Sequence, residues 1–170
     1  VNGATAILYA KWRANHYTVH FDGNGSTGGS MTDQNFVYDV AQNLSANRFE
    51  RTGYNFSGWS RNPNGEGGSY SDGAEVMNLL TEDGDSIILY AQWTVRQYTI
   101  TFMKDSNTVY HTNRQDYGTQ VIPPAAPERT GYDFDGWDVA IPETMPANDL
   151  TLTAKWKAVT YHITYNLDGG

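Results

Sequence analysis

The stretch Arg51-Thr-Gly-Tyr-Asn-Phe-Ser-Gly-Trp59 occurs a second time in this chain, as Arg129-Thr-Gly-Tyr-Asp-Phe-Asp-Gly-Trp137. Each copy lies between two shorter motifs that also recur. The motif before it is Tyr17-Thr-Val-His-Phe21 or Tyr98-Thr-Ile-Thr-Phe102, and the motif after it is Leu89-Tyr-Ala-Gln-Trp93 or Leu152-Thr-Ala-Lys-Trp156. Motifs that recur in a fixed order are the signature of a repeat protein. The sequence therefore predicts two complete copies of one small module.

The shorter motifs alternate apolar and polar side chains, which is typical of a β-strand with one buried face. Residues 36–40 and 120–122 are each predicted to form a second strand, and residues 41–49 have room for one or two helical turns. At the corresponding place in the second copy, the prolines of the stretch 123–127 prevent a regular helix. We predict a mainly β fold, α+β at most, with a short helix or none.

The large side chains of the three motifs are predicted to form the structural core of each copy, because aromatic residues supply much of the burial in a small domain. In the first copy these residues are Tyr17, Val19, Phe21, Tyr54, Phe56, Trp59, Leu89, Ala91 and Trp93. In the second copy they are Tyr98, Ile100, Phe102, Tyr132, Phe134, Trp137, Leu152, Ala154 and Trp156.

The distances between motifs separate constant from variable parts of the module. Equally short junctions follow Trp12, Trp93 and Trp156, and this lack of slack predicts a rod-like arrangement of consecutive modules. The first copy is longer because a Gly-rich insertion, which includes residues 64–68 and 71–73, separates its last two motifs. Turn-forming residues of this kind predict a longer hairpin or surface loop on the same scaffold.

We predict four segments. Residues 1–12 are the last strand of a preceding repeat, 13–94 the long-form module, 95–157 the short-form module, and 158–170 the first strand of a following repeat. The outer segments carry Leu8-Tyr-Ala-Lys-Trp12 and Tyr161-His-Ile-Thr-Tyr165, and the chain is expected to be a piece of a longer protein. Strands without their module either fray or pair with neighbours, other molecules included.

The composition excludes several classes of function. A formal net charge of −8, with no cluster of Lys or Arg, disfavours binding to nucleic acid and to anionic membranes. The absence of cysteine excludes disulfides, thiolate catalysis and cysteine-ligated zinc. The longest apolar run, residues 87–93, is too short to span a bilayer. We predict no direct membrane insertion.

Residues with potential chemistry fail to recur in matching positions. Asp22-Gly-Asn-Gly25 resembles an oxygen-rich calcium loop, but its counterpart is Met103-Lys-Asp-Ser106, which favours a plain turn. The acidic run Glu82-Asp-Gly-Asp85 has no counterpart and indicates a charged turn rather than a pair of glycosidase acids. The four histidines, at positions 16, 20, 111 and 162, favour solvated strand residues over zinc ligands.

Two surface features offer weaker alternatives. Lys11 and Lys155 share one strand position, but a Lys–Asn crosslink needs a buried lysine, and Gln92 occupies that position in the first copy. Tyr9 and Tyr90 could stack on sugars, or could cover an adjoining loop. We predict no catalytic, cofactor-binding or metal-ligating residue, no cofactor and no enzymatic activity.

The three motifs resemble the Listeria–Bacteroides repeat family, which includes the internalin B-repeat, over essentially the whole chain. The resemblance implies compact β-grasp-like modules of the ubiquitin or SUMO type, found in tandem in secreted or wall-anchored bacterial proteins. The second copy, with Ile141-Pro-Glu-Thr-Met-Pro-Ala-Asn-Asp149, resembles the shorter internalin form. The first copy resembles the longer form.

The expected function is therefore that of a non-enzymatic repeat segment at the bacterial cell surface or wall, acting as a stalk or spacer with weak adhesion. Its expected partners are the neighbouring repeats. The alternative is an adhesin that recognises a host protein or a glycan through the loops of the first copy. A stalk predicts dispersed surface aromatics, whereas an adhesin predicts one contiguous patch.

Overall fold

The computed structural model describes residues 3, 5–166 and 168–169, which form β-strands without any helix. None of these residues therefore belongs to a long apolar helix of the kind that crosses a membrane. The mainly β prediction is confirmed. The chain divides into two compact units, Val1–Thr94 and Val95–Gly170, called here module 1 and module 2. The finer four-segment boundaries stay predictions.

Module 1 is built on a mixed five-stranded sheet with the order β2-β1-β7-β4-β5. Its first strand, β1, and its last, β7, are parallel neighbours in the interior of the sheet, and β2 pairs antiparallel with β1. A separate pair, β3 and β6, lies outside this sheet. The strands are β1 His16–Asp22, β2 Gln34–Val37, β3 Gln42–Asn43, β4 Tyr54–Ser60, β5 Ser69–Tyr70, β6 Glu75–Val76 and β7 Ser86–Val95.

Module 2 has a four-stranded sheet with the order β10-β11-β8-β9. Again the first strand, β8, is parallel to the last, β11, and the flanking strands pair antiparallel. The order matches that of module 1 except that nothing in the described chain takes the place of β5. The strands are β8 Gln97–Met103, β9 Val109–Asp116, β10 Tyr132–Trp137 and β11 Leu150–Ala158.

The central parallel pair has the same register in both modules. Phe21 lies opposite Leu89 in module 1, and Phe102 lies opposite Leu152 in module 2. A one-residue slip would turn every side chain of a strand to the other face. The insertion in module 1 therefore changes the loops and leaves the alignment of the buried stripes intact.

The second strands lie earlier in the chain than predicted, by a few residues in module 1 and by about ten in module 2. In module 1 the strand is β2, which ends at Val37, because a turn with Asp39 at a φ of 61° follows it. In module 2 it is β9, since the short loop 104–108 brings the chain straight back along β8. Residue Gln120 makes only an isolated bridge to Thr144.

The proposed helical turns at residues 41–49 were also wrong. This segment contains β3, which is held by β6 from the insertion, and the Leu44 N–H donates to the Ala74 carbonyl at 2.8 Å. Pairing with the insertion satisfies the backbone groups that a helix would otherwise satisfy internally. The insertion thus adds β5 and β6 as well as a surface loop.

The outer segments contain no strand within the described part of the chain. Leu8 and Trp12 are 92% and 90% exposed, and Tyr161 and Tyr165 are 74% and 82% exposed. Residues 1, 2, 4, 167 and 170, which belong to the segments predicted as strands of neighbouring repeats, lie outside the described residues. The assignment of these segments to further repeats stays a prediction.

Each module has its own hydrophobic core. Of the predicted core residues, the buried ones are Tyr17, Val19, Trp59, Leu89, Ala91, Ile100, Phe102, Leu152 and Ala154. The half-buried ones are Phe21, Tyr54, Phe56, Trp93, Tyr98, Phe134, Trp137 and Trp156. Tyr132 is 40% exposed and lies at the surface instead, with Arg129 over its ring. Buried residues that the motifs did not reveal are Phe36, Leu44, Val76, Leu79, Val121 and Met145.

Candidate functional site

The recurring motifs meet in one aromatic cluster in each module. In module 1 this aromatic quartet is Phe21, Phe56, Trp59 and Trp93, and in module 2 it is Phe102, Phe134, Trp137 and Trp156. Trp59 and Trp137, called here the corner tryptophans, each lie 4.9 Å from the phenylalanine of the first strand, Phe21 or Phe102. The ring of Phe56 lies 5.0 Å from that of Trp59, and the ring of Phe134 lies 5.2 Å from that of Trp137. Tilted and edge-to-face contacts at these distances are favourable for aromatic rings.

The tryptophan of the last strand fastens the quartet to the first hairpin. The indole N–H of Trp93 donates to the Gly23 carbonyl at 3.0 Å, and that of Trp156 donates to the Lys104 carbonyl at 2.8 Å. The bond is the same although the two hairpin loops differ in length and sequence. A backbone acceptor permits this, because any residue offers a carbonyl.

The corner tryptophans differ in their surroundings. Trp59 is fully buried, whereas Trp137 is half-buried. In the described chain the indole N–H of Trp59 has no acceptor, which costs about 1–3 kcal/mol relative to a bonded group. We infer that Trp59 is there for the volume of its ring.

The sequence Arg-Thr-Gly-Tyr forms the same tight turn twice, at residues 51–54 and 129–132, and this turn is called here the arginine turn. The Tyr54 N–H donates to the Arg51 carbonyl and the Tyr132 N–H to the Arg129 carbonyl, each at 3.0 Å. The third residue of the turn has a φ of 79° at Gly53 and 77° at Gly131, a conformation that favours glycine.

The arginine that begins this turn lies over the ring of the tyrosine that ends it. The guanidinium carbon is 4.2 Å from the ring centroid in both modules. Contacts of this kind contribute about 0.5–1 kcal/mol at exposed sites. The sequence reasoning missed this role for Arg51 and Arg129, although their recurrence was the available signal.

A long loop covers the arginine turn in module 1. Residues 23–33 connect β1 to β2, and within them Thr27 and Gly28 form backbone bonds with Glu50 at 2.7–3.2 Å. The Thr27 hydroxyl accepts a bond from the Thr52 N–H at 2.9 Å. The side chain of Asn24 anchors the loop by donating to Pro63 and Ala91 carbonyls at 2.9 and 2.8 Å.

Module 2 leaves the same turn open. Its hairpin loop, residues 104–108, closes on itself through a bond from the Lys104 N–H to the Thr108 carbonyl at 2.8 Å. Beside it lies a shallow depression of about 600 Å³, whose lining includes Lys104, Glu128, Arg129 and Tyr132. A second depression, about 400 Å³, lies on module 1 beside Arg48 and Ser45.

The candidate chemical residues occupy ordinary structural positions. The Asp22 carboxylate accepts the Asn24 N–H at 2.7 Å, as in a turn. His20 lies 2.7 Å from Asp33, and His16 lies 4.0 Å from Asp83. Within the described residues, no three His, Cys, Asp or Glu side chains cluster as metal ligands would.

The other candidates are spread apart. Lys155 is exposed, as the alternation predicted, whereas Lys11 lies in the exposed segment before β1. Tyr9 is 86% exposed, while Tyr90 is half-buried on β7. His111 lies on β9 with its ring centroid 6.2 Å from that of Phe102.

The acidic run contributes one clear interaction. Asp83 accepts the backbone N–H of His16 and the guanidinium of Arg13, each at 2.8 Å. The His16 bond, followed by the charge of Arg13, holds the pKa of Asp83 below its usual range, although partial desolvation opposes the shift. The run thus ties residues 13–16, at the start of β1, to the segment that precedes β7.

The comparisons with known proteins agree with the repeat. The sequence model of the Listeria-Bacteroides repeat domain matches residues 17–92 and again 98–155. From Evansella cellulosilytica, a "Putative Gly-rich membrane protein" is 30% identical over 96% of this chain and 20% of its own length. A "Putative membrane protein" of the same organism is 31% identical over 96% of this chain and 24% of its own length.

Internalin H of Listeria monocytogenes is 32% identical over 62% of this chain and 20% of its own length. The chain thus spans a quarter or less of each of these relatives. The similarity therefore concerns one part of each of these longer proteins.

Proposed function

Because this chain belongs to the Listeria–Bacteroides repeat family, we propose that it is a non-enzymatic segment of a bacterial cell-surface protein, serving as a stalk or spacer. One observation carries the proposal. The contacts that recur in both copies join motif residues to other residues of the same module. The aromatic quartet and the arginine turn are the clearest cases. Such residues hold a scaffold shut and leave its surface free to vary.

The names of the relatives support a location at the cell surface. Two of them carry the words "membrane protein" in their names and the third is an internalin. We extend a surface or cell-wall location to this chain on that ground. The β-grasp-like plan is supported by the parallel pairing of first and last strands in both modules.

An adhesive role is the second candidate. The hairpin loop of module 1 bonds to Glu50, Pro63 and Ala91, so much of its polar surface is already engaged. The exposed depression on module 2 favours that module as the place for any contact with a host protein or glycan. Neighbouring repeats are the partners that a tandem arrangement requires.

The two roles differ in what a replacement would do. We would display the chain on a Gram-positive cell wall with an epitope tag before residue 1, and count antibody bound per cell. A spacer predicts that binding depends on the number of modules, and that an unrelated β domain of equal length restores it. Loss of display function despite equal length would refute the spacer role and favour adhesion. Small-angle scattering with a broad distribution of inter-module distances would refute the rod-like arrangement.

A further inference from the structure

The arginine turn has identical sequence in both modules but is covered in only one. Glu50-Arg-Thr-Gly-Tyr54 and Glu128-Arg-Thr-Gly-Tyr132 match at every position. In module 1 the turn receives a segment of the module's own loop, Thr27-Gly28-Gly29. The Glu50 and Thr52 groups that receive this segment therefore have identical counterparts, Glu128 and Thr130, in module 2.

The hydrogen bonds in module 1 show which chemical groups of a ligand Glu50 and Thr52 can bind. The Thr27 and Gly28 N–H groups donate to the Glu50 carbonyl at 2.7 and 3.2 Å, and the Glu50 N–H donates to the Gly28 carbonyl at 2.9 Å. The Thr27 hydroxyl accepts the Thr52 N–H at 2.9 Å and lies 3.1 Å from the Thr52 hydroxyl. The receiving turn thus recognises backbone N–H and carbonyl groups of a short bent segment, and one hydroxyl group.

Gly29 adds a steric requirement. Its φ is 76°, and a side chain there would collide with the Arg48 carbonyl. A glycine must therefore stand two positions after the hydroxyl residue. Gly28 has ordinary space around it, so the intervening position tolerates another small residue.

In module 2 the receiving groups are exposed. Glu128, Thr130 and Tyr132 face solvent at the edge of the depression of about 600 Å³. Within the described chain, no backbone bond to Glu128 replaces those that loop 23–33 makes to Glu50. The short loop 104–108 closes on itself through the Lys104–Thr108 bond and contributes Lys104 to the lining of the depression.

The charges of the depression suit a neutral ligand. Two cationic side chains, Lys104 and Arg129, line it together with two anionic ones, Glu128 and Asp133. A site for phosphate or a nucleic acid would instead concentrate positive charge. Balanced charges leave backbone hydrogen bonds as the main source of recognition.

We propose that the Glu128–Asp133 depression of module 2 binds a short peptide segment of another protein, with Ser or Thr followed two positions later by Gly. The peptide pairs with the Glu128 backbone as Gly28 pairs with Glu50. Pairing of a peptide with exposed backbone groups is a general mode of peptide recognition. The site goes beyond the spacer role, and its failure would leave the display experiment unaffected.

The chain supplies its own probe. A capped peptide of residues 23–32, Gly-Asn-Gly-Ser-Thr-Gly-Gly-Ser-Met-Thr, would be titrated into the isotope-labelled 170-residue protein and followed by amide chemical shifts. We expect saturable shifts at Glu128, Arg129 and Thr130 with a dissociation constant on the order of millimolar, since a free peptide loses the advantage of attachment. Shifts confined to other residues, or none at all, would overturn the proposal.

Matched variants separate recognition from nonspecific contact. A peptide N-methylated at both Thr27 and Gly28 lacks the two N–H groups that meet the Glu128 carbonyl, and we expect it to bind at least about tenfold more weakly. Thr130→Val should weaken binding, whereas Thr52→Val, at the covered turn of module 1, should leave it unchanged. Equal binding by the N-methylated peptide would contradict the backbone pairing. Maltose is the glycan control: shifts with maltose and none with the peptide would assign the site to sugars instead.

Discussion

Modules 1 and 2 share an aromatic quartet to within a few tenths of an ångström, yet they differ in what surrounds it. In module 1, β5 lies along β4 and the loop 23–33 covers the arginine turn. In module 2, β10 is an edge strand and the arginine turn is open. The scaffold is therefore set by the quartet and the parallel strand pair. The additional cover, which consists of β5 and the loop 23–33, is present in module 1 and is not needed for the scaffold of module 2.

The comparison also shows where the repeat can carry function. A surface that is filled in one copy by the chain itself is available in the other copy for a second molecule. Length variation in such repeats changes exposure at fixed positions of a constant scaffold. The four predictions below test this contrast, beginning with the largest expected effect.

Replacing the corner tryptophan should give the largest difference in stability between the two modules. We expect Trp59→Ala to cost about 4–5 kcal/mol and Trp137→Ala about 3 kcal/mol, since Trp59 is fully buried and Trp137 half-buried. Each change should unfold only its own module, which separate sets of amide resonances in a urea titration would report.

Trp59→Phe is the control for this experiment. It keeps an aromatic ring and removes an indole N–H that has no acceptor in the described chain, so its cost should be well below that of alanine. A larger cost at Trp137 than at Trp59 would contradict the view that β5 and the insertion add to the burial of module 1.

Substitution of the glycine before each corner tryptophan tests how much β5 contributes to module 1. A side chain at Gly58 would meet the Tyr70 carbonyl of β5 at 2.7 Å, whereas one at Gly136 would meet open space. Both glycines have positive φ, 136° and 83°, so both substitutions strain the backbone. We expect Gly58→Ala to cost about 2–3 kcal/mol and Gly136→Ala about 1 kcal/mol.

Hydrogen exchange would show whether the extra cost at Gly58 comes from β5. The Tyr70 amide should lose protection in Gly58→Ala. Equal costs for the two substitutions, with Tyr70 unchanged, would mean that β5 contributes nothing to the difference between the modules.

The sequence predicted the parts of the fold that depend on local pattern. Alternation in residues 17–21 and 98–102 placed the central strands and their buried faces correctly, because a strand with one buried face requires period-2 side chains. Recurrence of the arginine turn pointed to a shared structure without saying which contact preserved it. The stacking of Arg51 on Tyr54 became visible only with coordinates.

The errors share one cause. Strand β9, the β3–β6 pair and the exposure of Tyr132 all depend on which distant segment lies alongside. Loop length decides that, and residues 41–49 carry no local signal that β6 will pair with them. The depression on module 2 was missed for the same reason, since it exists because a loop is short.

The amide of Asn24 tests how the long loop is attached. Its side chain donates to Pro63 and Ala91 carbonyls, which joins the loop to the insertion and to β7. We expect Asn24→Asp to cost about 1–2 kcal/mol, because a carboxylate would face two carbonyl oxygens and donate to neither. Asp105→Asn, in the corresponding turn of module 2, is the control and should cost less. If loop 23–33 keeps its hydrogen-exchange protection in Asn24→Asp, another contact anchors the cover.

The smallest effect is expected at the start of β1, where Asp83 holds residues 13–16. Its pKa is lowered mainly by the His16 N–H and then by Arg13, so its stabilising contribution is complete above about pH 4. It is lost as the pH falls through the folded pKa, since a protonated carboxyl accepts these bonds poorly. The His16 amide shift should follow this titration, and Asp83→Asn should abolish it. Both groups of the ion pair are substantially exposed, at 77% and 44%, so salt should weaken the pair without releasing the His16 bond. A His16 amide that titrates with the midpoint of an ordinary aspartate would show that Asp83 does not hold residues 13–16, and would leave the backbone bonds from Thr18 to Asp85 and from Gly84 to His16 to join the two segments.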